Sequence, residues 1–346
     1  MKNLIQLSNL KQIFNPAAFK NRFQLMKSYY CKKPNLHGAF PSLVHIEPTN
    51  CCNLRCIMCP LSAMKRKKGT MNLKLFKKII TELSHSPVES VCLSFYGESL
   101  LHPQFPQFLS LAKTANLKFF LSTNGLMLNQ KLSKAIINNP PEILIISYDT
   151  SNPSQYRQIR KGGSIAILNN NIKSFLKLKG KNKPLTVLQC IDFPHLPKAA
   201  KKVRQQWADF DVVVASRPSH NWLGDLETVN KITQASKISQ THGVCDQPWR
   251  HAVIYWDGRV SSCCNFYDAQ LILGDLNSQS LKEIWNSQKA QDFRKMHTQL
   301  SREKIKLCAT CQQKAPNLKE KLALTFLDMN TINTYLSSTD GWRDNL

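Results

Sequence analysis

The chain has 346 residues, 42% of them hydrophobic, with 47 Lys and Arg against 22 Asp and Glu and a formal net charge of +25. That length accommodates one large domain and a smaller one, each with its own core. There is no run of about 18 apolar residues, which argues against a membrane-spanning helix. The opening stretch MKNLIQLSNLKQIFNPAAF is interrupted by Asn, Gln, Ser and Lys where a secretory leader is continuously apolar, so the expected location is the cytoplasm. The excess charge has two readings: an acidic partner, either a nucleic acid or an electron carrier, or a solvated Lys-rich surface.

In chain order, residues 1–39 read as an N-terminal extension of short helices feeding into the main domain and ending near Pro34 and Gly38. Apolar runs then alternate with helical periodicities across a core domain at 40–235. The predicted strands are 43–47, 88–95, 117–122, 143–148, 185–190 and 212–216. Leu75, Phe76, Ile79, Ile80 and Leu83 recur at helical spacing with Asn72 as N-cap, and further helices are predicted over 105–115, 130–138, 165–178 and 198–207. Six strands alternating with helices give a parallel α/β sheet or partial barrel, whose ligands bind at the carboxyl ends of the strands. Residues 217–242 read as a linker with one helix, 240–315 as a small cysteine-bearing α+β domain with one helical stretch at 280–294, and 316–346 as a tail with one helix near 322–329.

Twelve cysteines are not scattered along this chain. Cys51, Cys52, Cys56 and Cys59 lie together, and Cys245, Cys263, Cys264, Cys308 and Cys311 form a later group. In a reducing compartment such grouping suits metal or cluster ligands better than disulfides. Cys92 and Cys190 fall in apolar runs, where a cysteine serves as a small buried hydrophobe.

The first group reads Thr49-Asn50-Cys51-Cys52-Asn53-Leu54-Arg55-Cys56-Ile57-Met58-Cys59-Pro60, directly after the first strand. Cys52, Cys56 and Cys59 make a C-x3-C-x2-C pattern. Three thiolates on a tight loop leave one iron of a [4Fe–4S] cluster without a protein ligand; a zinc ion taking Cys51 as its fourth ligand is the competing reading. The second strand runs into Tyr96-Gly97-Glu98-Ser99-Leu100-Leu101-His102-Pro103, the third into Ser122-Thr123-Asn124-Gly125, and the fourth into Ser147-Tyr148-Asp149 with Arg160 downstream.

On these motifs the chain resembles the radical S-adenosylmethionine (SAM) superfamily. The resemblance implies a partial (β/α)6 barrel and a [4Fe–4S] cluster on Cys52, Cys56 and Cys59 whose open iron is chelated by SAM. It also implies reductive cleavage of SAM to a 5′-deoxyadenosyl radical, with a flavodoxin or ferredoxin as the electron donor. Gly97 and Glu98 would hold the amino group of SAM, Ser147 and Asp149 its ribose hydroxyls, and Arg160 its carboxylate. Tyr96 stands where the family usually has a small residue, and Ser99 where it has Pro.

The later cysteines, with Asp257-Gly258-Arg259-Val260 before Cys263-Cys264 and Gly274-Asp275-Leu276 after them, resemble the twitch or SPASM-type C-terminal extension of the same superfamily. Cys245, Cys263, Cys308 and Cys311 would close an auxiliary [4Fe–4S] cluster. The position of Gly258 selects Cys263 over Cys264, although either thiol could reach from a hairpin, and four cysteines also suit zinc. Enzymes of this one-cluster layout include an aminocyclitol alcohol dehydrogenase, so oxidation of a sugar or aminocyclitol alcohol is the leading expectation. Modification of a peptide side chain is the alternative within the class, and RNA modification, suggested by charge, is the alternative outside it. A proton acceptor would come from beyond the sixth strand, where Arg217, His220, Asn221 and Trp222 lie. The basic run Lys65-Arg66-Lys67-Lys68 could dock the electron donor.

Overall fold

The structure is a computed structural model that describes residues 15–219, 222, 243–300, 304–311 and 315–327. Helices α1 (Pro16–Tyr30), α2 (Leu73–Ser84), α3 (Phe105–Thr114), α4 (Gln130–Asn138), α5 (Pro153–Ile159), α6 (Ile165–Lys179) and α7 (Ala199–Gln206) intersperse strands β1 (Leu43–Ile46), β2 (Arg55–Cys56), β3 (Ser90–Cys92), β4 (Phe119–Thr123), β5 (Ile143–Ser147), β6 (Arg160–Lys161), β7 (Leu185–Asp192) and β8 (Val213–Pro218). The later part adds α8 (Gln247–Arg250), β9 (His251–Ile254), β10 (Arg259–Ser261), β11 (Gly274–Asp275), α9 (Leu281–Asn286), α10 (Gln288–Gln299) and α11 (Leu318–Phe326).

Local chemistry sets these boundaries. Asn15, Asn72, Asn129, Asn152 and Asn317 each cap a helix by accepting backbone N–H groups at its first turn, each cap contributing about 1 kcal/mol. Helix α2 buries the expected face of Leu75, Phe76, Ile79, Ile80 and Leu83, and Phe76 stacks on Phe108 of α3 with ring centroids 3.8 Å apart.

The sheet order is β11-β10-β9-β1-β3-β4-β5-β7-β8. Strands β1, β3, β4, β5, β7 and β8 are parallel, so the six predicted strands form the expected partial barrel. Alternate residues of β5 serve two clusters. Leu144 and Ile146 enter the main core under the helices, while Ile143 and Ile145 join Val187 and Ala215 on the opposite face. This two-sided burial explains the unbroken apolar run.

The structure departs from the sequence reading in three places. The extension contains one long helix in its described part. The helical stretch after residue 280 is two helices, α9 and α10, broken at Ser287, which caps the second. Above all, β9 pairs in parallel with β1, Leu43 opposite His251 and Ile46 opposite Ile254. The cysteine-bearing part therefore continues the barrel sheet, with β10 and β11 added antiparallel. Nothing in the local pattern of 251–254 encodes which distant strand it will join.

Candidate active site

Parallel strands deliver the motifs to one rim. After β1 the chain enters the cysteine loop. Cys52, Cys56 and Cys59 act on one another's charge, and Cys51 figures in none of those interactions. Burial pushes the Cys52 thiol up to about 11 and that of Cys59 to about 12; iron binding would displace those protons. Donors already point at the sulfurs: Leu54 N–H to Cys52 Sγ at 3.4 Å and the Arg160 guanidinium to Cys56 Sγ at 3.7 Å. Cys51 uses its carbonyl, which accepts from Glu98 N–H at 2.8 Å.

Gly97 has φ +91°, and a Cβ there would lie 2.3 Å from the Thr49 carbonyl oxygen and 2.8 Å from that of Cys51. The β3 turn can press on the cysteine loop only without a side chain. Glu98 is fully buried; its carboxylate accepts from Thr123 Oγ1 (2.7 Å), Asn124 N–H (2.7 Å) and Leu100 N–H (3.1 Å). Burial raises its pKa against those bonds. Asn124 in turn donates to Asn53 at 2.8 Å. Glu98 thus ties the β3 and β4 ends to the cysteine loop, and its carboxylate is mostly occupied by protein donors.

Asp149, at φ +63° beyond β5, is buried. It accepts from Arg160 Nε at 2.7 Å and from Ile191 N–H at 3.0 Å. Burial alone would lower the Arg160 pKa, but Asp149 and Cys56 hold it raised and charged. Asp149 and Arg160 therefore stand as one ion pair beside Cys56, where the sequence offered two separate contacts. Ser147 closes β5 opposite Gln189 of β7.

The later cysteines converge. Cys245, Cys263, Cys308 and Cys311 line one cavity with Cys264, Phe266, Phe293 and His297. Asn265 donates to Cys263 Sγ through N–H and to Cys311 Sγ through its amide, both at 3.4 Å, and His297 Nε2 lies 3.7 Å from Cys308 Sγ. Ser262 Oγ, next in sequence to Cys263, is buried without a hydrogen-bond partner among the described residues. Among the described residues, no three His, Cys, Asp or Glu side chains stand close enough to hold a single metal ion. A cubane, each iron met by one thiolate, instead asks for thiols spread around a cavity, and the later group, which lines one, fits that demand. Cys263 feels Cys245 and Cys311, while Cys264, beyond its bond to Cys263, acts on Tyr96 and Arg217.

The two cysteine regions meet at a seam. Tyr96 OH donates to the Cys264 carbonyl at 2.7 Å, and its ring lies 5.6 Å from that of Trp222. Trp222 Nε1 donates to the Met58 carbonyl inside the first loop. Arg66, in the expected surface run, is turned inward: it forms a two-pronged pair with Glu47, donates to the Tyr267 carbonyl at 2.8 Å and lies over the Tyr255 ring. Asp268 accepts from the Lys65 and Arg66 N–H groups at 2.7 and 2.8 Å. These links are hidden in the sequence because Lys65–Lys68 looks like a solvated charge run and, apart from Glu47, its hydrogen-bond partners Tyr267 and Asp268 lie about 200 residues away. Of the residues considered for proton transfer, Arg217 lies within β8, while His220 and Asn221 lie outside the described residues.

Comparison with known proteins follows this division. The radical SAM superfamily matches residues 46–198, and the SPASM iron–sulfur cluster-binding domain matches residues 245–312. The tungsten-containing aldehyde ferredoxin oxidoreductase cofactor-modifying protein of Pyrococcus furiosus is 24% identical over 72% of this chain and 82% of its own. The S-adenosyl-L-methionine-dependent 2-deoxy-scyllo-inosamine dehydrogenase of Niallia circulans is 24% identical over 81% of this chain and 96% of its own. Among solved structures, BtrN in complex with AdoMet and 2-DOIA has a TM-score of 0.54 at 20% identity, covering 79% of this chain and 94% of its own. Streptococcus suis SuiB bound to precursor peptide SuiA has a TM-score of 0.60 at 13% identity, covering 72% and 65%; likeness at such identities shows the fold alone. The chain belongs to the radical SAM superfamily, as an enzyme with a C-terminal SPASM-type domain that uses S-adenosylmethionine and two [4Fe–4S] clusters.

Proposed function

We propose that the enzyme oxidises an alcohol carbon of a sugar or aminocyclitol. Arg217 is the observation that carries this reading. It is largely buried, feels Asp149, Arg160 and Cys264, and has no hydrogen-bond or ion-pair partner among the described residues. A guanidinium held between the two cysteine regions suits a substrate oxygen that must lose its proton, which it can hold as a charge-assisted partner. The dehydrogenase named from Niallia circulans supports an aminocyclitol as substrate class.

When bound, the cofactors supply a 5′-deoxyadenosyl radical that takes a hydrogen atom and an auxiliary cluster that accepts the second electron. Cys52, Cys56 and Cys59 hold the first cluster, and Cys245, Cys263, Cys308 and Cys311 the second; the mutual influence of the thiols within each group supports this. Gly97 gives the backbone its close approach, and Glu98 fixes the rim on which the SAM amino group rests. Ser147 and Asp149 would bind the ribose hydroxyls, and the remaining donors of Arg160 would be left for the carboxylate. The domains divide as 1–39, 40–235, 240–315 and 316–346. The enzyme acts in the cytoplasm with a flavodoxin or ferredoxin as reductant and without nucleic-acid or membrane partners; no described helix is long and apolar enough to cross a membrane.

The test is anaerobic reconstitution followed by turnover with a panel of aminocyclitols, sugars and peptides. A polyol deuterated at one carbinol position should yield deuterated 5′-deoxyadenosine and one ketone per cleavage. Turnover with peptides or tRNA alone would refute the alcohol reading.

A further inference from the structure

We infer that the outward face of the β2–β6 ribbon is the docking surface for a small acidic one-electron carrier protein that reduces the first cluster. The inference deepens the function proposed above and rests on its reading of Cys56 as a cluster ligand. Strands β2 and β6 pair antiparallel, with Arg55 opposite Lys161 and Cys56 opposite Arg160. Facing residues in such a ribbon share a side, and successive ones alternate. Arg160 is buried, ion-paired to Asp149, and 3.7 Å from Cys56 Sγ, so that pair faces inward. Arg55 and Lys161 therefore face water, and both are exposed, as are neighbouring Arg157, Asn53 and Gly162.

Charge and shape fit an acidic protein. Among the described residues none of Arg55, Arg157 and Lys161 has a carboxylate partner; the Arg55 guanidinium reaches only the carbonyls of Cys52 and Leu54. Residues 48–81 and 150–191, which flank the site, contain no Asp or Glu. The chain leaves β6 through Gly162 (φ +91°) and Gly163, where a Cβ would meet Tyr156 at 2.9 Å, so these two positions add no side chain beside Lys161. No aromatic residue is exposed on the ribbon for base stacking, which disfavours RNA as occupant. The Lys65–Lys68 run is the weaker choice: Arg66 is consumed by Glu47, Asp268 already covers its backbone, and Lys67 and Lys68 lie beyond the turn after Cys59. A carrier seated on the ribbon is separated from Cys56 by the thickness of one ribbon. One electron leaves the carrier, which is oxidised, and enters the cluster, which is reduced; no atom is transferred.

The experiment uses reconstituted enzyme and a bacterial flavodoxin. Binding of oxidised flavodoxin is read by fluorescence anisotropy, and SAM cleavage is driven either by photoreduced flavodoxin or by dithionite. Arg55→Glu/Lys161→Glu should raise the flavodoxin Kd on the order of tenfold or more and lower flavodoxin-driven cleavage correspondingly, with the dithionite rate kept. Unchanged Kd, or an equal rise in Lys67→Glu/Lys68→Glu, overturns the inference. Should the double reversal also lose dithionite activity, the neutral Lys161→Gln and Arg157→Gln variants decide: weaker binding with a shallower salt dependence supports the ribbon, and unchanged binding refutes it. Wild type that fails to cleave SAM with dithionite would instead count against the proposed function.

Discussion

The two cysteine regions are built on opposite plans. The first places its thiols within Cys52–Cys59, on a loop whose shape is fixed by its neighbours: Gly97 presses on it, Asn53 and Asn124 meet across it, and Asp149 steers Arg160 to Cys56. The second gathers thiols from 245, 263, 308 and 311 around a cavity, whose walls also come from the start of α8, the segment 263–266 after β10, and α10. The first is a short segment pinned from outside, and the second is a cavity that exists only when distant segments have docked. Removal of one thiol should therefore damage the first site locally, whereas the second site depends on docking as much as on its ligands.

The cysteines give the largest expected effects. Cys56→Ala should abolish SAM cleavage while about four of roughly eight irons remain per chain, measured by iron counting and 5′-deoxyadenosine release. Cys263→Ala should lose the other set of irons yet retain some uncoupled SAM cleavage. Cys264→Ala should keep both sets, because Cys263 is the thiol that feels Cys245 and Cys311. Iron loss in Cys264→Ala but not in Cys263→Ala would break the assignment.

The same contrast explains what was legible in advance. Cys52, Cys56 and Cys59 could be singled out from their spacing on one short loop, and in the structure their thiols are near enough to act on one another's charge. The parallel core was legible because β5 and α2 carry their periodicity locally. The Asp149–Arg160 pair was half legible: both residues were singled out, but a positive φ at Asp149 aims its carboxylate at Arg160, and sequence does not print φ. The pairing of β9 with β1 and the Arg66–Glu47 pair were not legible, since each is fixed by long-range packing. Arg66 also sits among three lysines that are exposed, which disguises it.

Arg66 is where the contrast can be sharpened next. Its side chain and that of Glu47 are 4% and 0% exposed, and Glu47 also accepts from Trp256 N–H at 3.2 Å. Burial raises the Glu47 pKa, with Arg66 opposing the rise. Arg66→Met would strand a buried carboxylate at the seam, a loss of about 3–5 kcal/mol, measurable by denaturant unfolding. Glu47→Gln/Arg66→Met should recover part of that loss. If the seam is what holds the second cavity together, auxiliary iron should fall before first-cluster iron in Arg66→Met. Equal loss from both sites would erase the distinction drawn between them.

A smaller effect lies where β9 joins β1. His251 Nε2 is 2.6 Å from His45 Nδ1, and His251 Nδ1 is 2.7 Å from Gln247 Oε1, a residue that also lines the second cavity. Burial, with Arg250 nearby, lowers the His45 pKa to about 3, and burial, with His45 and Arg250, holds that of His251 well below its ordinary value. Both rings are neutral in the folded chain, and the unfolded chain binds more protons below the ordinary value of about 6.5. Their contribution is therefore complete above that pH and is lost as pH falls from about 6.5 toward 3. Between pH 7.5 and 5.5 the two together should cost about 3 kcal/mol of stability. His45→Gln removes one titrating ring and leaves the other with a polar neighbour, so Tm measured across that range should fall less steeply than in wild type. An unchanged slope would mean that acid sensitivity resides elsewhere and that the β1–β9 junction is no weaker than the rest of the sheet.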